Sequence, residues 1–183
     1  MPYAVTLPLD AAAAKRIQRM RHMLAEQAGA DDAIRLGYAP HFTLAVLPDT
    51  VPAAEIEEAA FRVAENWAPF AVVLAGIGIF PGTPPVVWAA PAVTHGLLAS
   101  HAALPESLAP FTVHPHYRAG NWVPHVTLSQ NGPSSAARAV EVLASAWDEP
   151  IYARLERVEL VRFLPVEILR SQAFRPAARA ENV

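Results

Sequence analysis

Two short stretches of this chain place the same reactive side chains in the same order. Pro40–Leu44 reads PHFTL and Pro124–Leu128 reads PHVTL. On an extended strand alternate side chains share a face. His41 and Thr43 then point one way while Phe42 and Leu44 point the other, and His125 and Thr127 separate in the same manner from Val126 and Leu128. The apolar partners suit a covered core. The His/Thr pairs are left on the opposite face, where polar side chains need water, each other or a ligand. Histidine titrates near pH 6.5, so two imidazoles on opposite sides of a substrate make a general base and a general acid. Two hydroxyls can donate to the non-bridging oxygens of a phosphate and orient it. The chemistry this pattern suits is cleavage of a phosphodiester. One histidine takes a proton from water or a sugar hydroxyl and the other protonates the leaving oxygen, with no metal required.

The elements around the motifs must bring the two pairs together. Tyr3–Leu9 reads as a strand, and Asp10 as the cap of a helix from Ala11 to about Ala28 with Ile17, Met20, Leu24 and Ala28 on one face; Gly29 ends it. PHFTLAVL is a strand opening at a proline. Asp49 or Thr50 caps a helix over about Pro52–Trp67, with Ile56, Ala59, Ala60 and Val63 inward. Ala71–Ile79 is a buried strand, PGTPP (81–85) a turn and VVWAAP a returning strand. A helix is expected over Thr94–Leu108, ended or kinked by Pro105, then an irregular loop, HPHYRAGNWVP. PHVTLSQ is a strand, Ser134–Trp147 a helix, and Tyr152–Phe163 and Val166–Phe174 two closing strands, with a frayed tail over 176–183. In both halves a PHxTL strand is followed by a helix, a long strand, a turn and a returning strand. The expected architecture is α+β: two lobes related by a pseudo-twofold axis, each a small antiparallel sheet backed by helices, forming one bilobal domain over 1–183 with the His/Thr pairs meeting in a central cleft. A repeat of this length is a duplication, not a solenoid.

Composition narrows the class. Hydrophobic residues make up 53% and charged residues 17% of the 183 residues, which suits a chain able to bury a core. The net charge of −3 argues against tight, sequence-independent binding of long nucleic acid, while a nucleotide or an RNA end stays open. There is no cysteine, so disulfides, thiolate zinc sites and a cysteine nucleophile are excluded together. No signal peptide is evident in MPYAVTLPLD, and the longest apolar run, Phe70–Phe80, is about half of the ~20 residues a membrane span needs. A cytoplasmic protein without an obligate protein partner is the expectation.

Other residues are weaker candidates. Arg162, between Val161 and Phe163, is a candidate for reaching the phosphate, and Tyr117 and Arg118 sit on the irregular loop where a substrate contact is natural. Phe80 and Trp122 are candidates for stacking a base, although core packing is the favoured role for Phe80 and Trp88. His114 and His116 lack a clear third ligand, so no metal site is expected. His95 and His101 fall on different faces of one helix and are both expected in solvent. His22 ends a basic stretch, KRIQRMRH, read as a solvated helix face. GIGIFPG has neither the lysine nor the helix start of a phosphate loop.

Taken with these motifs, the chain resembles the two-histidine (2H) phosphoesterases. HFTLAVLPDT, GIGIFPGTPPVVWAAP and WVPHVTLSQ follow in the order and spacing of the bacterial branch, the 2′-5′ RNA ligase-like and RNA 2′,3′-cyclic phosphodiesterase proteins. The resemblance implies a bilobal α+β fold with a central cleft, no metal or other cofactor, hydrolysis of 2′,3′-cyclic phosphates to 2′-phosphates, and in some members reversible 2′-5′ joining of RNA ends. It implies a quartet of His41, Thr43, His125 and Thr127, with His41 as the acid on the 3′ oxygen and His125 as the base on water. The chain departs from that branch in lacking the basic residues that often flank the second motif: Asn121-Trp122-Val123 and Ser129-Gln130 stand there, and Arg118 is the nearest cation. The alternative function is a nucleotide- or RNA-end-binding protein with the same cleft and little turnover.

Overall fold

The computed structural model describes residues 2–130 and 135–175. The expected frayed tail over 176–183, and Ser134 as a helix start, lie outside the described residues. Among the described residues eight strands and six α-helices follow one another as β1 Tyr3–Pro8, α1 Ala11–Ala28, α2 Asp32–Arg35, β2 His41–Leu47, α3 Ala53–Ala64, β3 Phe70–Phe80, β4 Val86–Ala92, α4 His95–Ala102, α5 Leu104–Ser107, β5 Val126–Ser129, α6 Ala136–Ala146, β6 Ile151–Leu155, β7 Arg157–Arg162 and β8 Glu167–Ala173. The architecture is α+β, with two four-stranded antiparallel sheets in the orders β2-β1-β7-β8 and β5-β4-β3-β6.

Each sheet is built from both halves of the chain. The hairpin β3–β4 that follows the first motif pairs with the second motif strand β5, and β7–β8 pairs with β1 and so with the first motif strand β2. The segment expected as one strand over Tyr152–Phe163 breaks at Glu156: β6 closes the second sheet and β7 enters the first. The two halves of the duplication therefore interleave: β7–β8 of the second half complete the first sheet, and β3–β4 of the first half lie between β5 and β6 in the second. The buried residues form one continuous cluster, in which Val5, Leu7, Phe42 and Leu44 join Val72, Val87, Val126 and Leu128.

Local signals explain most element boundaries. Asp10 accepts from Ala12 and Ala13 N–H at 2.9 and 3.1 Å, capping α1, and its other oxygen accepts from Arg154 N–H in β6. Gly29 closes α1 at φ 67°, a left-handed conformation that suits glycine. Two boundaries differ from expectation. The N-cap of α3 is Pro52 in place of Asp49 or Thr50, and its buried face is Ile56, Ala60, Phe61 and Ala64. The break between α4 and α5 falls at Ala103, ahead of Pro105, because proline is tolerated in the first turn of the new helix, where its missing N–H is not needed.

Candidate active site

Both motifs alternate as the sequence demands. Phe42, Leu44, Val126 and Leu128 are no more than 1% exposed, while His41, Thr43, His125 and Thr127 are half-buried. Each of these apolar side chains contributes about 1.5–3 kcal/mol by leaving water. A one-residue slip would bring all of that surface out and turn the His/Thr face inward, so core burial fixes which face the reactive groups occupy. After Thr43 the register against β1 shifts, leaving Leu44 and Ala45 both buried. The motif strands are the edges of their respective sheets, and their Cα atoms come within 8 Å of each other.

The two imidazoles are held alike. His41 Nδ1 lies 2.7 Å from the Ala39 carbonyl and His125 Nδ1 lies 2.7 Å from the Val123 carbonyl. A carbonyl only accepts, so both Nδ1 atoms carry the proton and each Nε2 is left as the lone-pair nitrogen. Each ring also has an aromatic support. Tyr38 packs on His41 with centroids 4.0 Å apart, and its hydroxyl shares a 2.6 Å hydrogen bond with Thr6. Phe80 meets His125 edge-on at 5.0 Å, and Trp88 stacks on Phe80 at 5.0 Å. Desolvation pushes His41 down to about 4 and is abetted by the positive charges of Arg21 and His125, against the Ala39 carbonyl. Desolvation also lowers His125, against the Val123 carbonyl. Both histidines are therefore neutral near pH 7.

The outward edges of β2 and β5 are closed by groups from the other half of the chain. Trp122 Nε1 donates to the Thr43 carbonyl at 2.9 Å, and His114 N–H donates to the Val46 carbonyl at 2.8 Å. Arg21 Nη2 donates to the Thr127 carbonyl at 2.8 Å, while Asp32 accepts from Ser129 Oγ at 2.6 Å and from Gln130 N–H at 2.8 Å. Unpaired edge groups are satisfied without adding a strand that would cover the cleft.

The weaker candidates separate. Tyr117 is brought to the motif: its hydroxyl hydrogen-bonds the Thr43 side chain, and burial raises its pKa. Phe80 lies against His125. Core packing, the favoured role for Phe80 and Trp88, does not hold, because neither belongs to the core cluster and both pack on His125; Trp122 instead packs on that cluster while bonding Thr43. Trp88 lies flat over Gly78, whose missing side chain makes room for the indole. Arg162 is not brought in. It is level with Tyr3, whereas His41 is level with Pro8, five positions along β1 or about 17 Å; its guanidinium pairs with Glu167. Arg118 is exposed and its Nε donates to Val113 O at 2.9 Å, closing its own loop. A cavity of about 300 Å³ behind Tyr117, lined by Leu44, His101, Leu108 and Phe111 among others, contains none of the quartet.

Four contributors were not read from the sequence. His101, expected in solvent, is 7% exposed: its ring stacks on Trp122 at 4.0 Å and its Nε2 bonds the Tyr117 carbonyl at 2.8 Å. Arg21, within the basic stretch expected to be solvated, is 4% exposed, although His22 beside it is exposed. Arg21 does sit four residues after Ile17, on the apolar face, and that spacing is the signal that could have found it. Tyr38 and Asp32 carry no local signal. His114 and His116 meet ring to ring at 4.9 Å, and no group of three potential metal ligands occurs among the described residues. No helix among them is long and apolar enough to cross a membrane.

The family model of the 2′-5′ RNA ligase superfamily matches residues 8–166. The chain belongs to that superfamily. Comparison with curated protein sequences finds no match. Solved structures share the fold: the Thermus thermophilus protein TT0787 at 20% identity and TM-score 0.69, covering 97% of this chain and 100% of that one, and Escherichia coli LigT at 19% and 0.63, covering 94% and 96%. Usb1 of Kluyveromyces marxianus matches at 10% and 0.51 over 94% of this chain and 98% of its own. The superfamily is one of 2H phosphoesterases, generally phosphodiesterase enzymes.

Proposed function

We propose that this chain is a metal-independent phosphodiesterase that hydrolyses 2′,3′-cyclic phosphates of nucleotides or RNA ends to 2′-phosphates, and that a 5′-hydroxyl in place of water makes it a 2′-5′ RNA ligase. The observation that carries this reading is the matched pair of imidazoles, one opening edge strand β2 and the other immediately preceding edge strand β5, each with its Nδ1 proton committed to a backbone carbonyl. Both Nε2 atoms are thereby left for proton transfer. LigT of E. coli has been crystallised with 3′-AMP and with ATP, which supports a nucleotide as the occupant of the cleft.

In the reaction one neutral Nε2 removes a proton from water as its oxygen forms a bond to phosphorus. The P–O3′ bond breaks, and the other imidazole, protonated, gives its Nε2 proton to O3′. That second histidine gains its proton when the substrate binds, because the anionic phosphate favours the imidazolium that desolvation otherwise disfavours. Turnover leaves the two protonation states exchanged, and exchange with solvent resets them. Thr43 and Thr127 donate to the non-bridging oxygens, and the Tyr117 hydroxyl lies beside Thr43 as its hydrogen-bond partner. The resemblance implies His41 as the acid. Its surroundings suit that role once it is protonated: desolvation, abetted by Arg21 and His125, disfavours the charged form, so the imidazolium gives up its proton readily.

The test is incubation, with EDTA, of the protein and its His41→Ala and His125→Ala variants with 2′,3′-cyclic mononucleotides and a short RNA ending in a cyclic phosphate. Formation of the 2′-phosphate that survives EDTA and is lost in both variants supports the reading. A folded protein that binds the cyclic nucleotide and never consumes it refutes it and leaves a binding role.

A further inference from the structure

Buried deepest among the charged groups near the motifs is Arg21, which the proton-transfer scheme does not use. It projects from the apolar face of α1, between Ile17 and Leu24, where a hydrophobic residue would pack at no desolvation cost. Desolvation lowers its pKa to about 10, with the charge of Asp32 opposing. Three of its five N–H donors are directed at backbone carbonyls. Nη1 bonds the Tyr38 carbonyl at 2.9 Å, while Nη2 and Nε bond the Thr127 carbonyl at 2.8 and 3.3 Å.

Those two carbonyls belong to the two motifs. Tyr38 supplies the ring that supports His41 and precedes Ala39, whose carbonyl fixes the His41 Nδ1 proton. Thr127 is the second-motif threonine itself. We infer that Arg21 is a positioning residue that joins the two motif segments into one centre, its fork gripping the backbone of both. Only a planar guanidinium can reach two carbonyls in this way; an ammonium is a point charge and cannot replace the fork. Arg21 also sets a fixed positive charge beside His41. The other titratable groups facing His41 are His125 from the second motif and Tyr38 from its own loop, with Glu159 of β7 acting on Tyr38.

The inference deepens the phosphodiesterase reading and rests on it for its kinetic part, so its test has an arm that needs no substrate. Histidine side-chain NMR titrations would be run on the wild type, Arg21→Gln, Arg21→Lys and, as a control, Arg19→Gln on the exposed face of the same helix. His41 should titrate at higher pH in Arg21→Gln, and near its wild-type value in Arg21→Lys and Arg19→Gln. On a 2′,3′-cyclic mononucleotide, Arg21→Gln should lose kcat by about 10- to 100-fold with KM changed less than about threefold, since misplacement of reacting groups acts on the chemical step. Arg21→Lys should lose about tenfold while the acid limb of its pH profile stays in place. An unmoved His41 titration in folded Arg21→Gln overturns the inference, as does a kcat loss no larger than the lost folded fraction. Should Arg21→Gln not fold, Arg21→Lys decides: a tenfold loss of kcat with the His41 titration in place supports the fork, and wild-type kcat overturns it. Should the wild type turn over no cyclic phosphate, the enzyme reading fails while the titrations still judge Arg21.

Discussion

Gly78→Ala tests whether the aromatic support of His125 matters. A Cβ at Gly78 would lie 2.2 Å from Trp88 Cζ2 and 2.3 Å from Cε2, well inside van der Waals contact. The contact is with the body of a flat indole, so the ring must leave its place over β3. Forcing a methyl into such a contact costs about 1–3 kcal/mol, which for a chain of this size lowers Tm by roughly 2–12 °C. The displaced indole carries Phe80 with it, and Phe80 is the edge contact of His125. A misplacement of about 1 Å at a reacting group costs up to about 100-fold in rate, so kcat on a 2′,3′-cyclic mononucleotide should fall by about 10- to 100-fold. Thermal unfolding and steady-state kinetics read both effects, and Trp88→Ala supplies the control. In that background the clash is gone and Gly78→Ala should be neutral or slightly stabilising, since alanine loses less backbone entropy than glycine in a strand. Equal destabilisation by Gly78→Ala with and without the indole would refute the reasoning.

Three further outcomes follow from the same geometry. The native state holds His41 well below its unfolded pKa of about 6.5, so the unfolded chain binds the extra proton first; stability contributed by neutral His41 is complete above pH 6.5 and declines as pH falls toward 4. Urea melts across that window should show a shallower pH slope in His41→Gln than in the wild type. Trp122→Phe keeps the stack on His101 but removes the donor to Thr43, costing about 0.5–1.5 kcal/mol in chemical denaturation and a measurable part of kcat. Arg162→Gln should leave kcat/KM within about threefold and stability within about 1 kcal/mol, because Arg162 lies far along β1 from His41 and forms a surface ion pair; a tenfold loss of kcat/KM would return it to the site.

Much of the architecture was legible because it rests on local rules. Alternation at positions 41–44 and 125–128 separates a core face from a reactive face whatever the rest of the chain does, and Asp10 and Gly29 bound α1 by satisfying or turning its own backbone. The strand breaking at Glu156 was not legible. Its residues are equally strand-forming on both sides, and only the pairing partners, β3 for one part and β1 for the other, distinguish them. The placement of Phe80, Trp88 and Trp122 likewise depended on which strand lay beside which.

By itself the sequence determined the quartet: its residue types, its repetition and its division from the apolar partners are properties of short segments, set by strand periodicity and burial. Tertiary structure alone decided how two motifs become one centre. The interleaving of hairpins from the two halves leaves both motif strands at sheet edges. Arg21, Asp32, Trp122 and His114 then close those edges from the opposite half of the chain. Such contacts join residues far apart in sequence, so no periodicity announces them; they exist because buried carbonyls and N–H groups must find partners wherever the fold places donors and acceptors.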